Sequence, residues 1–208
     1  MTIYPVVNTR DRDQMVREVG LASEWGSPWV HFDVSDGVFT STVTGPSPDD
    51  LPGLHERFPD IKFEVHLMVT NPEEQVARWF EASANRVVVH WEAIGNPEAL
   101  AGLTDRPLSI ALNPETAIED VVPRLKPGQF VHVLAVPPGP SGQTFDLSVV
   151  EKITSLRSAV PDLIIEVDGG ITPQTAALIK EAANAAVSHS YIFGSPNPEK
   201  AFRELQAV

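Results

Sequence analysis

The chain has 208 residues, of which 42% are hydrophobic, 21% charged and 7% aromatic. Fifteen Lys and Arg stand against 28 Asp and Glu, a formal charge of −13 with His neutral. That balance argues against nucleic acid and anionic membrane surfaces, both of which demand clustered positive charge. With no Cys in the chain, disulfides, thiolate metal sites and a Cys nucleophile are excluded.

A chain of this length can bury a sizeable core, and one domain over residues 1–208 is expected. No stretch approaches the ~18 apolar residues that span a bilayer. The apolar run at Met1–Val7 has no basic leader and is too short for a signal-peptide core, so a cytoplasmic protein is expected.

In chain order, the first strand is expected over Ile3–Val7, followed by a helical pattern over Asp11–Trp25 carrying Met15, Val16, Val19 and Leu21–Ala22. Strand two, Trp29–Val34, precedes a fainter helical stretch at Asp49–Phe58. Strand three, Lys62–His66, leads into Asn71–Ala82, where Asn71 can cap and Pro72 takes the first helical position. Strand four, Arg86–His90, is followed by a second faint pattern at Asn96–Gly102. Leu108–Leu112 then precedes Glu115–Leu125, and Phe130–Ala135 precedes Leu147–Ala159. Leu163–Val167 leads to Thr172–Ala183, opened by Thr172-Pro173, and Ala185–Ser188 leads to Asn197–Val208. Short β-branched runs alternating with helical patterns signal βαβ units and a parallel sheet. A doubly wound open sheet shows the same alternation, but eight repeats favour an α/β protein of the (β/α)8 TIM-barrel class.

The unusual polar residues fall at the C-terminal ends of the strands: Asn8-Thr9, His31-Phe32-Asp33, His66, His90-Trp91-Glu92, Asn113, Asp168-Gly169-Gly170 and His189-Ser190. In a barrel these ends converge on the face that carries active sites. His31 and Asp33 are two apart on a strand and point the same way. Two imidazoles and two carboxylates, from His31, Asp33, His66 and Asp168, suit one divalent transition metal. Gly139, Gly142, Gly169 and Gly170 can turn backbone N–H groups toward an anion, although any single Gly pair also fits an ordinary tight turn.

These residues carry a family resemblance over nearly the whole chain. The stretches are His31-Phe32-Asp33-Val34-Ser35-Asp36-Gly37, Val65-His66-Leu67-Met68-Val69 with Asn71-Pro72-Glu73, and His90-Trp91-Glu92-Ala93. Further on come Ala111-Leu112-Asn113-Pro114, Pro138-Gly139 with Gly142-Gln143, Glu166-Val167-Asp168-Gly169-Gly170 and Ile192-Phe193-Gly194. The sequence resembles the ribulose-phosphate 3-epimerases. That resemblance implies a (β/α)8 barrel with one divalent metal (zinc, iron, manganese or cobalt) that inverts C3 of ribulose 5-phosphate to give xylulose 5-phosphate. It implies metal ligands at His31, Asp33, His66 and Asp168, with Asp33 as proton acceptor and Asp168 as proton donor. It implies substrate and phosphate contacts at Thr9, His66, Met68, Gly139, Pro140, Ser141, Gly142, Gly169, Gly170, His189 and Ser190, and assembly from identical subunits.

The chemistry supplies its own reason for two carboxylates. Inverting a carbon beside a carbonyl needs a proton removed on one face and delivered on the other, and a metal can neutralise the enediolate between the two steps. The chain departs from the family's pattern at Asn8-Thr9, where a Ser is usual, at Ser35 and Leu134, where Met is usual, and at His189, where Gly is usual. The loop at Gly37–Pro46 also differs. The expected substrate is therefore a small phosphorylated ketose. A sister 3-epimerase acting on a phosphorylated hexulose, and a paralogue of low activity that binds a sugar phosphate, are the other readings. At His189 the ring either faces the phosphate or points outward as a surface residue, the outward case being preferred because strand-end side chains alternate.

Overall fold

The computed structural model describes residues 1–95, 106 and 108–208, and the faint helical pattern at Asn96–Gly102 lies outside the described residues. The chain divides into two compact units, an N-terminal one of Tyr4–Leu108 and a C-terminal one of Met1–Ile3 with Ser109–Val208.

The N-terminal unit contains residues 4–7 of β1 (Thr2–Val7), then α1 (Arg12–Glu24), β2 (Trp29–Asp36), β3 (Val43–Thr44), α2 (Leu51–Arg57), β4 (Lys62–Met68), α3 (Glu73–Glu81) and β5 (Arg86–His90). Strands β1, β2, β4 and β5 pair in parallel in that order, with His31 opposite Glu64 and Asp33 opposite His66. Alternation along β2 and β4 puts Val30, Phe32, Phe63, Val65 and Leu67 on one face and His31, Asp33, Glu64 and His66 on the other. The apolar set is fully buried, and the Phe32 and Phe63 rings lie 5.4 Å apart. Helix α1 starts where the Asp11 carboxylate accepts from Gln14 N, and it buries Met15, Val19 and Ala22. Helix α3 buries Val76, Trp79 and Phe80. Each such side chain contributes about 1.5–3 kcal/mol on full burial.

The C-terminal unit contains most of β6 (Leu108–Leu112), then α4 (Ile118–Val121), β7 (Phe130–Leu134), α5 (Val149–Ala159), β8 (Ile164–Asp168), α6 (Pro173–Ile179), β9 (Ala185–Ser188), α7 (Ser190–Phe193) and α8 (Pro198–Gln206). Here β6, β7, β8 and β9 pair in parallel, with His132 opposite Glu166 and Leu134 opposite Asp168. Val131, Val133, Ile165 and Val167 fill one face and are fully buried. Helix α6 opens on a Thr172–Thr175 capping box with Pro173 in its first turn, as the sequence predicts.

Among the described residues each unit carries four parallel strands, and the fold class is the (β/α)8 barrel. The sequence reading is short by two residues at the ends of β2 and β4, which run to Asp36 and Met68. The helix expected over Glu115–Leu125 is much reduced: one turn at Ile118–Val121 passes into a 3₁₀ turn at Val122–Arg124. Pro123, which has no N–H to donate, accounts for the break. The short β3 has no expected counterpart. It pairs antiparallel with the end of β2, Ser35 opposite Thr44 and Asp36 opposite Val43.

Candidate active site

In the N-terminal unit, His31, Asp33 and His66 come together at the ends of β2 and β4. His31 Nε2 lies 3.2 Å and His66 Nδ1 3.1 Å from the same oxygen, Asp33 Oδ1. Both imidazoles are fully buried, and Asp33 is 7% exposed. The outer nitrogen of each ring is also engaged. His31 Nδ1 lies 2.7 Å from Glu64 Oε1, and Glu64 Oε2 accepts from Arg86 at 2.6 Å. His66 Nε2 lies 2.8 Å from His90 Nε2, and His90 Nδ1 lies 3.3 Å from Glu92 Oε2. In the tautomers where His31 gives its Nδ1–H to Glu64 and His66 its Nε2–H to His90, both remaining lone pairs point at Asp33 Oδ1. Two lone pairs facing a carboxylate oxygen repel unless a proton or a cation sits among them.

The ionisation of these groups reflects the same demand. Burial lowers the pKa of His31, but the hydrogen bonds and charges of Asp33 and Glu64 more than reverse this and hold it well above the ordinary imidazole value. Burial raises the carboxyl of Asp33, and the His31 and His66 hydrogen bonds overcome it, holding the group far below the usual carboxylate range. Asn8 adds an amide hydrogen bond to Asp33 Oδ2 at 3.1 Å. Thr9, the residue expected to contact substrate, turns away: its hydroxyl lies 3.2 Å from Gln14 Oε1 and accepts from Asp11 N. Of the Asn8-Thr9 pair, the amide side chain is the one that reaches the site. Ser35 donates to Thr42 O at 2.9 Å, tying β2 to the following loop, and Met68 is buried on the strand opposite it.

In the C-terminal unit, Asp168 ends β8 with its side chain 18% exposed, and His132 Nε2 lies 3.5 Å from its Oδ2. His132 Nδ1 lies 2.9 Å from Glu166 Oε1. Burial lowers the pKa of His132, and the two carboxylates outweigh it, pushing it up to about 9. The sequence alone does not single out His132, Glu166 and Glu64, because each sits inside an apolar run and reads there as strand filler, nor Arg86, which stands at a strand start. For Glu64 and Glu166 the available signal is their spacing, two residues before His66 and Asp168 on the same strands.

The glycines after β8 are required by their geometry. Gly169 and Gly170 have φ of 104° and 63°, and a Cβ on Gly170 would lie 2.5 Å from Phe145 N. Gly142, Gly170 and Ser190 line one pocket of about 530 Å³ together with Phe145 and Thr175. Pro140 and Ser141 are exposed at the tip of the preceding loop beside the half-buried Gly139. Gln143 braces this loop by donating to Pro137 O and Pro140 O. His189 is absent from the lining of that pocket. Its ring packs 5.8 Å from Phe193, and both ring nitrogens are buried with no hydrogen-bond partner among the described residues. The ring therefore neither lines the glycine pocket nor stands out as a surface residue. His189 stands at the N-cap of the one-turn α7.

Residues 2–193 match the family model described as the ribulose-phosphate 3 epimerase family. A ribulose-phosphate 3-epimerase of Schizosaccharomyces pombe is 31% identical over 98% of this chain and 92% of its own length. The cytoplasmic isoform of Oryza sativa subsp. japonica is 32% identical over the same shares. Among solved structures, orotidine 5'-phosphate decarboxylase from Pyrococcus horikoshii superposes with a TM-score of 0.69 over 100% of both chains at 16% identity, a likeness of fold alone.

Proposed function

Since the chain belongs to the ribulose-phosphate 3 epimerase family, which makes it an isomerase, we propose that it converts D-ribulose 5-phosphate to D-xylulose 5-phosphate as one catalytic domain over residues 1–208. The observation that carries this reading is the convergence of His31 Nε2 and His66 Nδ1 on Asp33 Oδ1.

In this reading Asp33 takes the proton from C3. A base must be ionised at working pH, and the two imidazoles keep Asp33 so. The Asn8 amide fixes the second oxygen of the carboxylate. Asp168 returns a proton to the opposite face of the planar enediolate, and the two residues exchange roles in the reverse direction. Both side chains are almost covered, at 10% and 18% exposure, so a bound sugar would shut out most of the remaining water. His31, Asp33, His66 and Asp168 would hold one divalent metal. The mixed N/O donors fit zinc, iron, manganese or cobalt, and a cation there would relieve the repulsion at Asp33 as a proton does. When bound, the metal would act as a Lewis acid that neutralises the developing enediolate charge. Gly142, Gly170 and Ser190 would receive the phosphate in their pocket, which no Lys or Arg lines, so that backbone N–H groups supply the positive ends. The proposed setting is the cytoplasm, and no described helix is long and apolar enough to cross a membrane.

The test is turnover of ribulose 5-phosphate alongside other phosphoketoses, with and without a chelator, and exchange of deuterium at C3. Asp33→Asn and Asp168→Asn are each expected to lower turnover by about 10²–10⁴-fold, the usual loss when an acid–base group is removed, with circular dichroism unchanged. Wild-type exchange in either variant refutes the two-carboxylate mechanism. Faster turnover of a hexulose phosphate would move the substrate assignment.

A further inference from the structure

His132 is arranged as His31 is. His31 faces Glu64 across a parallel strand pair, and His132 faces Glu166 in the same register. Each Nδ1 is held by that glutamate, at 2.7 Å and 2.9 Å. Each Nε2 is aimed at an aspartate, His31 at Asp33 Oδ1 over 3.2 Å and His132 at Asp168 Oδ2 over 3.5 Å. All four of these His and Glu residues are fully buried. A glutamate that fixes the far nitrogen of a histidine is the usual support behind a metal-bound imidazole.

We infer that His132 is a further ligand of the metal, binding through Nε2 beside Asp168 with Glu166 as its support. The donor set then contains three imidazoles, more nitrogen than His31, Asp33, His66 and Asp168 supply alone. It favours zinc, cobalt or iron over manganese, because imidazole suits those ions and oxygen ligands suit manganese. This inference rests on the proposal that His31, Asp33, His66 and Asp168 hold a metal at all, and one experiment separates the two.

The probe is Co²⁺ added to chelator-stripped full-length protein, followed by proton NMR of the exchangeable, paramagnetically shifted imidazole N–H signals. Each bound histidine contributes one, and each here donates its far N–H to a buried acceptor that slows exchange. Wild-type protein is expected to show three such signals. His132→Leu should show two and bind Co²⁺ at least tenfold more weakly. His132→Gln, which keeps a donor for Glu166, repeats the measurement should the leucine variant misfold. Two signals in the wild type, both retained in the variants, would exclude His132 as a ligand and leave the four-residue metal reading standing. Failure of wild-type protein to take up Co²⁺ would overturn the metal reading and this inference with it.

Discussion

Glu64 is buried in the interior of the N-terminal unit, and its two oxygens are divided between His31 and Arg86. Arg86 also stacks over Trp29, 4.3 Å from the ring centroid. Removing one partner of a buried ion pair strands the other, a loss of about 3–5 kcal/mol. Arg86→Met is therefore expected to lower the unfolding free energy by about 3 kcal/mol in urea, with the Glu64→Gln double variant losing less than the sum of the singles. Asp36 tests charge at a more open position. Burial raises its carboxyl, and the backbone N–H groups of Phe39, Thr70 and Val38 with the Thr70 hydroxyl together outweigh this and lower it. A depressed folded-state pKa gives stability that is present above the unfolded value and lost as pH falls through the folded one. The urea midpoint of Asp36→Asn should fall below that of the wild type at pH 6, and the gap should shrink below about pH 3.8. A gap that is constant with pH would assign the effect to shape rather than charge. At this scale the sequence was legible where two polar residues stood two apart at a strand end, as at His31 and Asp33. It was not legible at Glu64, His132 and Glu166, because a single polar residue within an apolar run does not announce its partner on the next strand.

Among the elements, the devices that set strand ends and helix starts decide where the site residues stand. Strand β3 closes over the end of β2, where Thr44 donates to Asp33 O at 3.0 Å. Gly45 follows with φ of 82°, and a side chain there would collide with the backbone of Asp33 and Val34. This two-residue strand holds the main chain of Asp33 in place. No periodicity could reveal it, since two residues carry no pattern. The helices were more legible. Helix α8 starts where Asn197 Oδ1 accepts from Lys200 N at 3.0 Å, with Pro198 in its first turn, and it buries Ala201, Phe202 and Leu205. Asn197→Ala should cost about 1 kcal/mol, the usual loss of a side-chain cap, seen as a lower denaturant midpoint at unchanged slope. The weak spot was α4, where the apolar spacing of Glu115–Leu125 suggested three turns. A proline within the pattern outweighs periodicity, because it removes a donor and crowds the preceding turn.

For the whole molecule, a bound metal would couple ligand to stability. A ligand at 100 times its dissociation constant that binds only the folded state adds about 2.7 kcal/mol, or about 5–10 °C in melting temperature for a chain of this size. Chelation should lower the thermal midpoint by that order, and His31→Ala should abolish the difference. An equal shift in the variant would place the metal elsewhere. The sequence by itself determined the fold class and the eight parallel strands, because alternating runs of β-branched and helical residues admit few architectures in 208 residues. It also supplied the residues of the family resemblance, and with them His31, Asp33, His66 and Asp168. Only the tertiary structure decided how those residues are held. Register put Glu64 behind His31 and Glu166 behind His132. Loop closure turned Thr9 toward Gln14, brought Asn8 to Asp33, and tucked His189 beside Phe193. The physical reason is separation along the chain: His31 and Glu64 lie 33 residues apart and His132 and Glu166 lie 34 apart. A spacing of that length is set by how strands pair, which local pattern does not encode.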